Sequence, residues 1–182
     1  TQASSDLLEQ LGQVRVGAQI RRIVSLNGGA TVAWQAVSTA IRADGLPLPY
    51  VRAAALAAGH DLSLDVQSVA ASVRACNDPR VTSLHLPVQE RTLMQSSNSD
   101  TIRALCEALG HTEVCLQLDA GMLSDNLDPL ALRLKTLRGL GASVALKNVD
   151  AGDRSLLAIT ALRPWYIVAD AEALLGDFTD TP

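Results

Sequence analysis

Between residues 14 and 37, apolar and polar side chains alternate in two runs, VRVGAQIRRIVSL and TVAWQAV, around Asn27-Gly28-Gly29. A period of two is the signature of a strand with unlike faces, and Asn-Gly is the strongest short turn signal, so this stretch predicts a β-hairpin. Ahead of it, SSDLLEQLG at 4–12 predicts a short helix capped by Ser4 or Ser5 and stopped by Gly12. Beyond the hairpin the period lengthens. Val66, Val69, Ala70 and Val73 follow the i, i+3, i+4, i+7 spacing of a helix face within 65–76. TSLHLPV at 82–88 predicts a strand. Ile102, Leu105, Cys106 and Leu109 set a helix over 100–109 that Gly110 ends. VCLQLDA at 114–120 is a strand. Asp128 and Pro129 open the next helix as N-cap and first position, with the stripe Leu130, Leu134, Leu137 and Gly141. SVALKNV at 143–149 is a strand, DRSLLAITAL at 153–162 a helix, and WYIVAD at 165–170 a strand.

After the hairpin, helix and strand alternate four times, which implies right-handed β-α-β units and a parallel sheet. Short apolar strands of this kind are covered on both faces or line a barrel. The pattern fits an open doubly wound sheet or a TIM-like barrel. No GxGxxG or GxxxxGK[ST] follows any strand, which weighs against the nucleotide-binding open sheets. Roughly six strands are expected, whereas a closed eight-stranded barrel needs at least about 200 residues.

Composition narrows the function classes. The 182 residues suit one domain over 13–182 after a helix or linker at 1–12, and 48% apolar residues suit an α/β core. Aromatics make up only 3%, so Leu, Val, Ile and Ala fill that core. The net charge is -4 and no Lys/Arg run occurs, which argues against direct nucleic-acid binding. Cys76, Cys106 and Cys115 are odd in number and show no CxxC spacing, so free reduced thiols and the cytoplasm are expected. No apolar run reaches the roughly 18 residues of a membrane span, and no signal peptide opens the chain. The first residue is Thr1 rather than Met, which suggests a processed or excised piece.

Five ordered blocks carry a family resemblance. QIRRIVSLNGGATVAWQAV resembles the opening of an EAL domain, the cyclic di-GMP phosphodiesterase family, with Gln35-Ala36-Val37 at the Glu-Ala-Leu signature. LHLPVQ at 84–89 resembles the family's Asn-Leu-Ser strand, and VCLQLDAG at 114–121 its Leu-Glu-Ile-Thr-Glu-Ser strand. LRGLGASVALKNVDAG resembles the Leu-Ala-Leu-Asp-Asp-Phe-Gly-Thr-Gly stretch, and LLAITALRPWYIVAD the Leu-Lys-Ile-Asp strand. The match lies in the hydrophobic frame from about Gln13 to Asp170. It implies a TIM-barrel-like α/β fold, opening with a hairpin and left incomplete. The family's last two strands, which carry a further acid and a glutamine, have no counterpart here.

The resemblance also implies which positions are degenerate. The signature Glu falls on Gln35, the metal-binding Asn on His85, the next Glu on Gln117, and the Asp pair on Lys147 and Asn148. The Lys beside the nucleophilic water falls on Val168, and the phosphate-contacting Arg on Thr39. The family's opening-strand Gln falls on Arg21. Two Glu, two Asp and an Asn sum to -4, whereas Gln35, neutral His85, Gln117, Lys147 and Asn148 sum to +1. Divalent Mg²⁺ or Mn²⁺ needs carboxylates, so the site is expected to hold no metal or other cofactor and to catalyse nothing. The implied function is a regulatory or protein-interaction module of bacterial cyclic di-GMP signalling. The second reading is a non-hydrolysing receptor for cyclic di-GMP or another nucleotide, with Arg21 and Lys147 as contacts. The third is an active phosphodiesterase, and the fourth a barrel enzyme of other chemistry using Lys147 and the loop acids.

The remaining candidates have plainer readings. His85 between Leu84 and Leu86 is expected to be a hydrogen-bonded barrel histidine, since His60 and His111 fall in loops. Lys147 is expected to pair with Asp119 or Asp150. Asp119, Asp125, Asp128, Asp150 and Asp153 gather near strand C-termini, where caps and loop solvation explain them more simply than a metal site does. Trp34 reads as core, and Trp165 with Tyr166 as packing rather than an exposed anchor. An open barrel leaves strand edges to be covered, by the tail with Leu174, Leu175 and Phe178 or by self-association.

Overall fold

The computed structural model describes residues 15–25, 27–41, 61–76, 78, 80–95, 103, 107, 109–110, 112–150 and 152–168. The expected N-terminal helix, His60, Cys106, His111 and the tail anchors lie outside the described residues. The chain divides into two compact units, Thr1–Leu84 and His85–Pro182.

The first unit holds the hairpin. Strands β1 (Arg15–Val24) and β2 (Thr31–Ile41) pair antiparallel, with Arg21 opposite Gln35 and Arg22 opposite Trp34. The turn lies where Asn-Gly-Gly predicts it: Gly28 and Gly29 both have positive φ, 102° and 70°, which side chains with a Cβ resist. Helix α1 (Asp61–Ala75) packs on the hairpin. Its buried face corrects the sequence reading. Leu64, Asp65, Ser68, Ala71 and Ser72 are buried, while Val66 is exposed and Val69, Ala70 and Val73 are half-buried. The serines tolerate burial because each hydroxyl donates back one turn, Ser68 Oγ to the Leu64 carbonyl and Ser72 Oγ to that of Ser68, both at 2.8 Å. The hydroxyl's demand is met within the helix, and an apolar-only search for the buried face cannot see such residues. Trp34 is half-buried rather than deep in the core.

The second unit carries the β-α repeats. Strand β3 (Ser83–Pro87) crosses the division, and β4 (Glu113–Asp119), β5 (Ala142–Lys147) and β6 (Tyr166–Val168) follow it in sheet order. The β4–β5 and β5–β6 pairs are parallel, as the alternation predicts. Between them lie α2 (Glu90–Met94), a 3₁₀ turn at Ala120–Met122, α3 (Asp128–Gly139) and α4 (Asp153–Leu162). Arg103, Glu107 and Leu109 are helical, in keeping with the helix expected over that window. Helix α3 starts one residue earlier than expected. Leu127 takes the N-cap place, Asp128 is the first helical residue, and the missing N–H of Pro129 falls in the first turn, where no partner is needed. Gly141 lies past the helix end at φ 93°, so it breaks the turn rather than extending the stripe.

Period-two alternation sorts the strands into two faces. Val114, Leu116, Leu118, Ala142, Val144 and Leu146 are buried on one face, and Leu130, Leu134 and Leu137 of α3 are buried with them. The opposite face carries Cys115, Gln117 and Asp119 of β4, Ser143, Ala145 and Lys147 of β5, and Tyr166 and Val168 of β6. Arginines tie the helix ends. Arg133 donates to the Leu93 and Gln95 carbonyls at the end of α2, and Arg138 to those of Leu162 and Arg163 at the end of α4. No helix among the described residues is long and apolar enough to cross a membrane.

Candidate functional site

The polar face is organised in rungs. Val88 N donates to the Gln117 carbonyl at 3.0 Å, and in a parallel ladder this bond sets Val88 opposite Leu118 and His85 opposite Cys115. Cys115 in turn faces Ser143. One rung up, Gln117, Ala145 and Tyr166 align, and at the strand ends Asp119, Lys147 and Val168 align. His85 therefore sits in mid-strand, two rungs below the ends where Lys147 and Val168 lie.

The sheet of this unit is strongly curled. Strands β3 and β6 are separated by β4 and β5, so a flat sheet would hold them about 14 Å apart at roughly 4.8 Å per step. Yet the ring centroids of His85 and Tyr166 are 5.1 Å apart. The polar face is thus concave, and Tyr166 reaches across it. His85 is 2% exposed, and neither ring nitrogen has a hydrogen-bond partner among the described residues. The expectation of a hydrogen-bonded histidine is corrected: the ring is held by packing. Burial holds its pKa below the ordinary 6.5, against a weaker upward pull from the Glu113 carboxylate. Burial likewise pushes the Cys115 thiol up to about 11, so this cysteine is a neutral filler. Cys76 and Cys115 are both free thiols.

At the rim one carboxylate organises the cluster. Asp119 Oδ2 lies 3.4 Å from Lys147 Nζ and accepts from Asn148 Nδ2 at 2.8 Å, while its Oδ1 accepts from Gly121 N at 3.1 Å. Asn148 adopts φ 54°, a left-handed conformation that Asn tolerates well. Of the two partners expected for Lys147, the structure shows Asp119. Asp150 is engaged otherwise: its Oδ1 accepts from Ser155 Oγ at 2.6 Å and Gly152 N at 3.1 Å, and these bonds hold its carboxyl below the usual range. Asp125 pairs with Arg154 at 3.5 Å, and Asp128 and Asp153 sit in the first turns of α3 and α4. Among the described residues no three His, Cys, Asp or Glu side chains are grouped to hold a metal ion. The partly buried Asp119–Lys147 pair should couple by about 0.5–1 kcal/mol in a double-mutant cycle of urea stabilities, D119N against K147M. Additive single effects would remove the pair from the site's energetics.

The structure brings together Gln117, Lys147, Asn148 and Val168 at and just below the strand ends, with His85 deeper on the same face. Gln35 and Thr39, both half-buried, and exposed Arg21 belong to the hairpin unit, where Thr39 faces Gly17. Two features escaped the sequence reading. Tyr166 is a wall of the concave face, a role set by sheet curl, which no spacing encodes. Trp165 is 72% exposed, which overturns the packing role expected for it. A groove lined by Leu123, Leu127, Leu157 and Ala158, with Asp125 and Arg154 also in its lining, shares no residue with the polar face.

No family model matches the chain, and no curated protein matches it. Solved structures do. The Xanthomonas citri FimX EAL domain in complex with c-diGMP superposes with a TM-score of 0.77 at 17% identity, over 100% of this chain and 75% of that one. The Vibrio cholerae LapD S helix-GGDEF-EAL structure gives 0.74 at 17% identity, over 99% of this chain and 45% of that one. Klebsiella pneumoniae BlrP1 in a calcium/cy-diGMP complex gives 0.73 at 21% identity, over 89% and 41%. At these identities the likeness speaks for the fold. The six strands among the described residues are those of an incomplete EAL-type, TIM-barrel-like α/β fold.

Proposed function

We propose that this chain of EAL fold is a non-catalytic regulatory or protein-interaction module of cyclic di-GMP signalling, working in the cytoplasm. One observation carries the reading. The carboxylate at the strand-end rung, Asp119, is already matched to an organic cation, Lys147, and to the donors of Asn148 and Gly121. A two-metal hydrolytic site needs several carboxylates open toward its ions. Here Gln117 and Asn148 are neutral, Lys147 is cationic, and the acids of the neighbouring loops serve as caps and ion-pair partners. The exposed apolar side chains of Trp165 and Ile167 give β6 the character of a contact surface rather than a core strand, which supports a protein partner or self-association.

A second reading is favoured by the neighbours: FimX and BlrP1 were solved with the dinucleotide bound. A non-hydrolysing receptor would use the polar concave face, with Lys147 supplying positive charge. Isothermal titration of the full chain with cyclic di-GMP, with and without Mn²⁺, separates the readings. Absence of binding heat in both arms is expected for the interaction module. Saturable binding that ignores Mn²⁺ and is lost in Lys147→Ala selects the receptor. Binding that requires Mn²⁺ overturns both.

A further inference from the structure

We infer that His85 is an acid-releasable latch for β6, the last described strand. The geometry is independent of any nucleotide. Strand β6 has three residues, and its register with β5 covers only Ala145–Tyr166, Leu146–Ile167 and Lys147–Val168, extended by Trp165 N donating to the Val144 carbonyl at 2.8 Å. Its outward side chain Ile167 and that of Trp165 just before it are largely exposed and add little burial. On the concave side Tyr166 meets the His85 ring, tilted 54° to its own. Among the described residues the hold on β6 thus includes a short ladder and the His85–Tyr166 ring contact.

That contact depends on protonation. Neutral imidazole is uncharged, and its one N–H donor and one acceptor nitrogen cost far less to bury against a phenol ring than a full charge does. Imidazolium carries two N–H donors and a charge, and neither nitrogen has an acceptor among the described residues. The titratable and charged groups on the strands facing His85 within its unit are few. On β4 they are Glu113 at the exposed start, the neutral Cys115 thiol, and Asp119 at the rim, which is engaged with Lys147. On β5 there is Lys147 itself, and on β6 Tyr166, whose hydroxyl pKa burial raises further from the acid range. Only Glu113 favours the charged ring, and desolvation outweighs it. The sign follows: a histidine kept neutral in the folded state contributes its full share of stability above about pH 6.5, and that share is lost as pH falls from there through its lowered folded value. Relief comes from water reaching the ring, and the weakly held wall of the site is Tyr166. Acid thus detaches β6 and bares the edge of β5, a strand edge able to pair with another strand.

The test is native-state amide exchange on the full chain at pH 7.5 and pH 5, corrected for intrinsic rates, with His85 followed by its ring-proton shift. Protection of those β6 amides that donate to β5 should fall at least tenfold more than that of Leu116 and Leu118 in β4 at pH 5. His85→Phe should keep β6 protected at both pH values. Equal pH dependence in the two strands, or an unchanged acid response in His85→Phe, overturns the latch. Should His85→Phe fail to fold, the wild-type titration decides: a His85 midpoint at or above 6.5, or one that does not coincide with the loss of β6 protection, also overturns it.

Discussion

Incubated with cyclic di-GMP and Mn²⁺ or Mg²⁺, the purified chain is expected to leave the dinucleotide intact. The expectation rests on charge. EAL-type hydrolysis, as the resemblance implies it, uses two ions held by Glu, Asn, Glu and an Asp pair; the corresponding positions here are Gln35, His85, Gln117, Lys147 and Asn148. A divalent ion 4 Å from the Lys147 ammonium would be repelled by on the order of 8 kcal/mol at an effective dielectric near 20. Asp119 returns an attraction of similar size, but it lies beside Lys147, so the pair presents little net field to an incoming cation. No further carboxylate among the described residues joins it to form a ligand group. Chromatography of the reaction is the measurement. Linearised product whose formation is abolished by changing Gln35 or Gln117 would sink the pseudo-enzyme reading.

Much of the architecture is legible because its cause is local. Alternation over 14–26 and 31–37 and the Asn-Gly-Gly turn lead to β1 and β2. Apolar runs bounded by glycine or proline lead to β3–β6; β2 runs on past its expected end to Ile41, and the last two residues expected of β6 lie outside the described residues. DRSLLAITAL marks α4 over its observed span. The misreadings come from effects that hydrophobic spacing does not carry. In α1, serine hydroxyls satisfied within the helix let a polar face go inward, so the stripe of Val66, Val69, Ala70 and Val73 is not the buried one. In β6, a strand of apolar letters reads as packed, but packing needs a neighbour, and Trp165 has little. A hydrogen bond is the natural expectation for His85 because buried histidines usually find one, yet sheet curl sets it against Tyr166 instead. The Asp119–Lys147 pair is one of two choices that the spacing leaves open. Only the parallel register, which places those residues on one rung, decides between them.

Gln117→Glu, which places on β4 the carboxylate that the resemblance implies, should destabilise the chain by about 2–4 kcal/mol at pH 7.5. Gln117 is 1% exposed, in the middle of the concave face. An ionised carboxylate there loses its hydration. The nearest acid on the same face, Asp119, lies two residues along the strand, roughly 7 Å away, and adds repulsion. The one cation at the rim among the described residues, Lys147, is already engaged by that same Asp119. The new carboxyl should therefore titrate well above its ordinary value of about 4.3. A folded-state value raised in this way leaves stability intact below the unfolded value and removes it as pH rises through the folded one. The variant should thus approach wild-type stability near pH 4.5 and fall away toward neutrality, with wild type measured in parallel at each pH to subtract the His85 contribution. Urea unfolding followed by tryptophan fluorescence gives both curves. Added Mn²⁺ separates the two functional pictures sharply. In an interaction module the ion leaves the midpoint of Gln117→Glu where it was. In a concealed metal site the restored ligand recruits the ion, and the lost stability returns with increasing Mn²⁺ as RT ln(1 + [Mn²⁺]/Kd). Recovery of that kind, or a Gln117→Glu chain as stable as wild type at pH 7.5 without metal, would show that the concave face still accommodates a carboxylate and its cation.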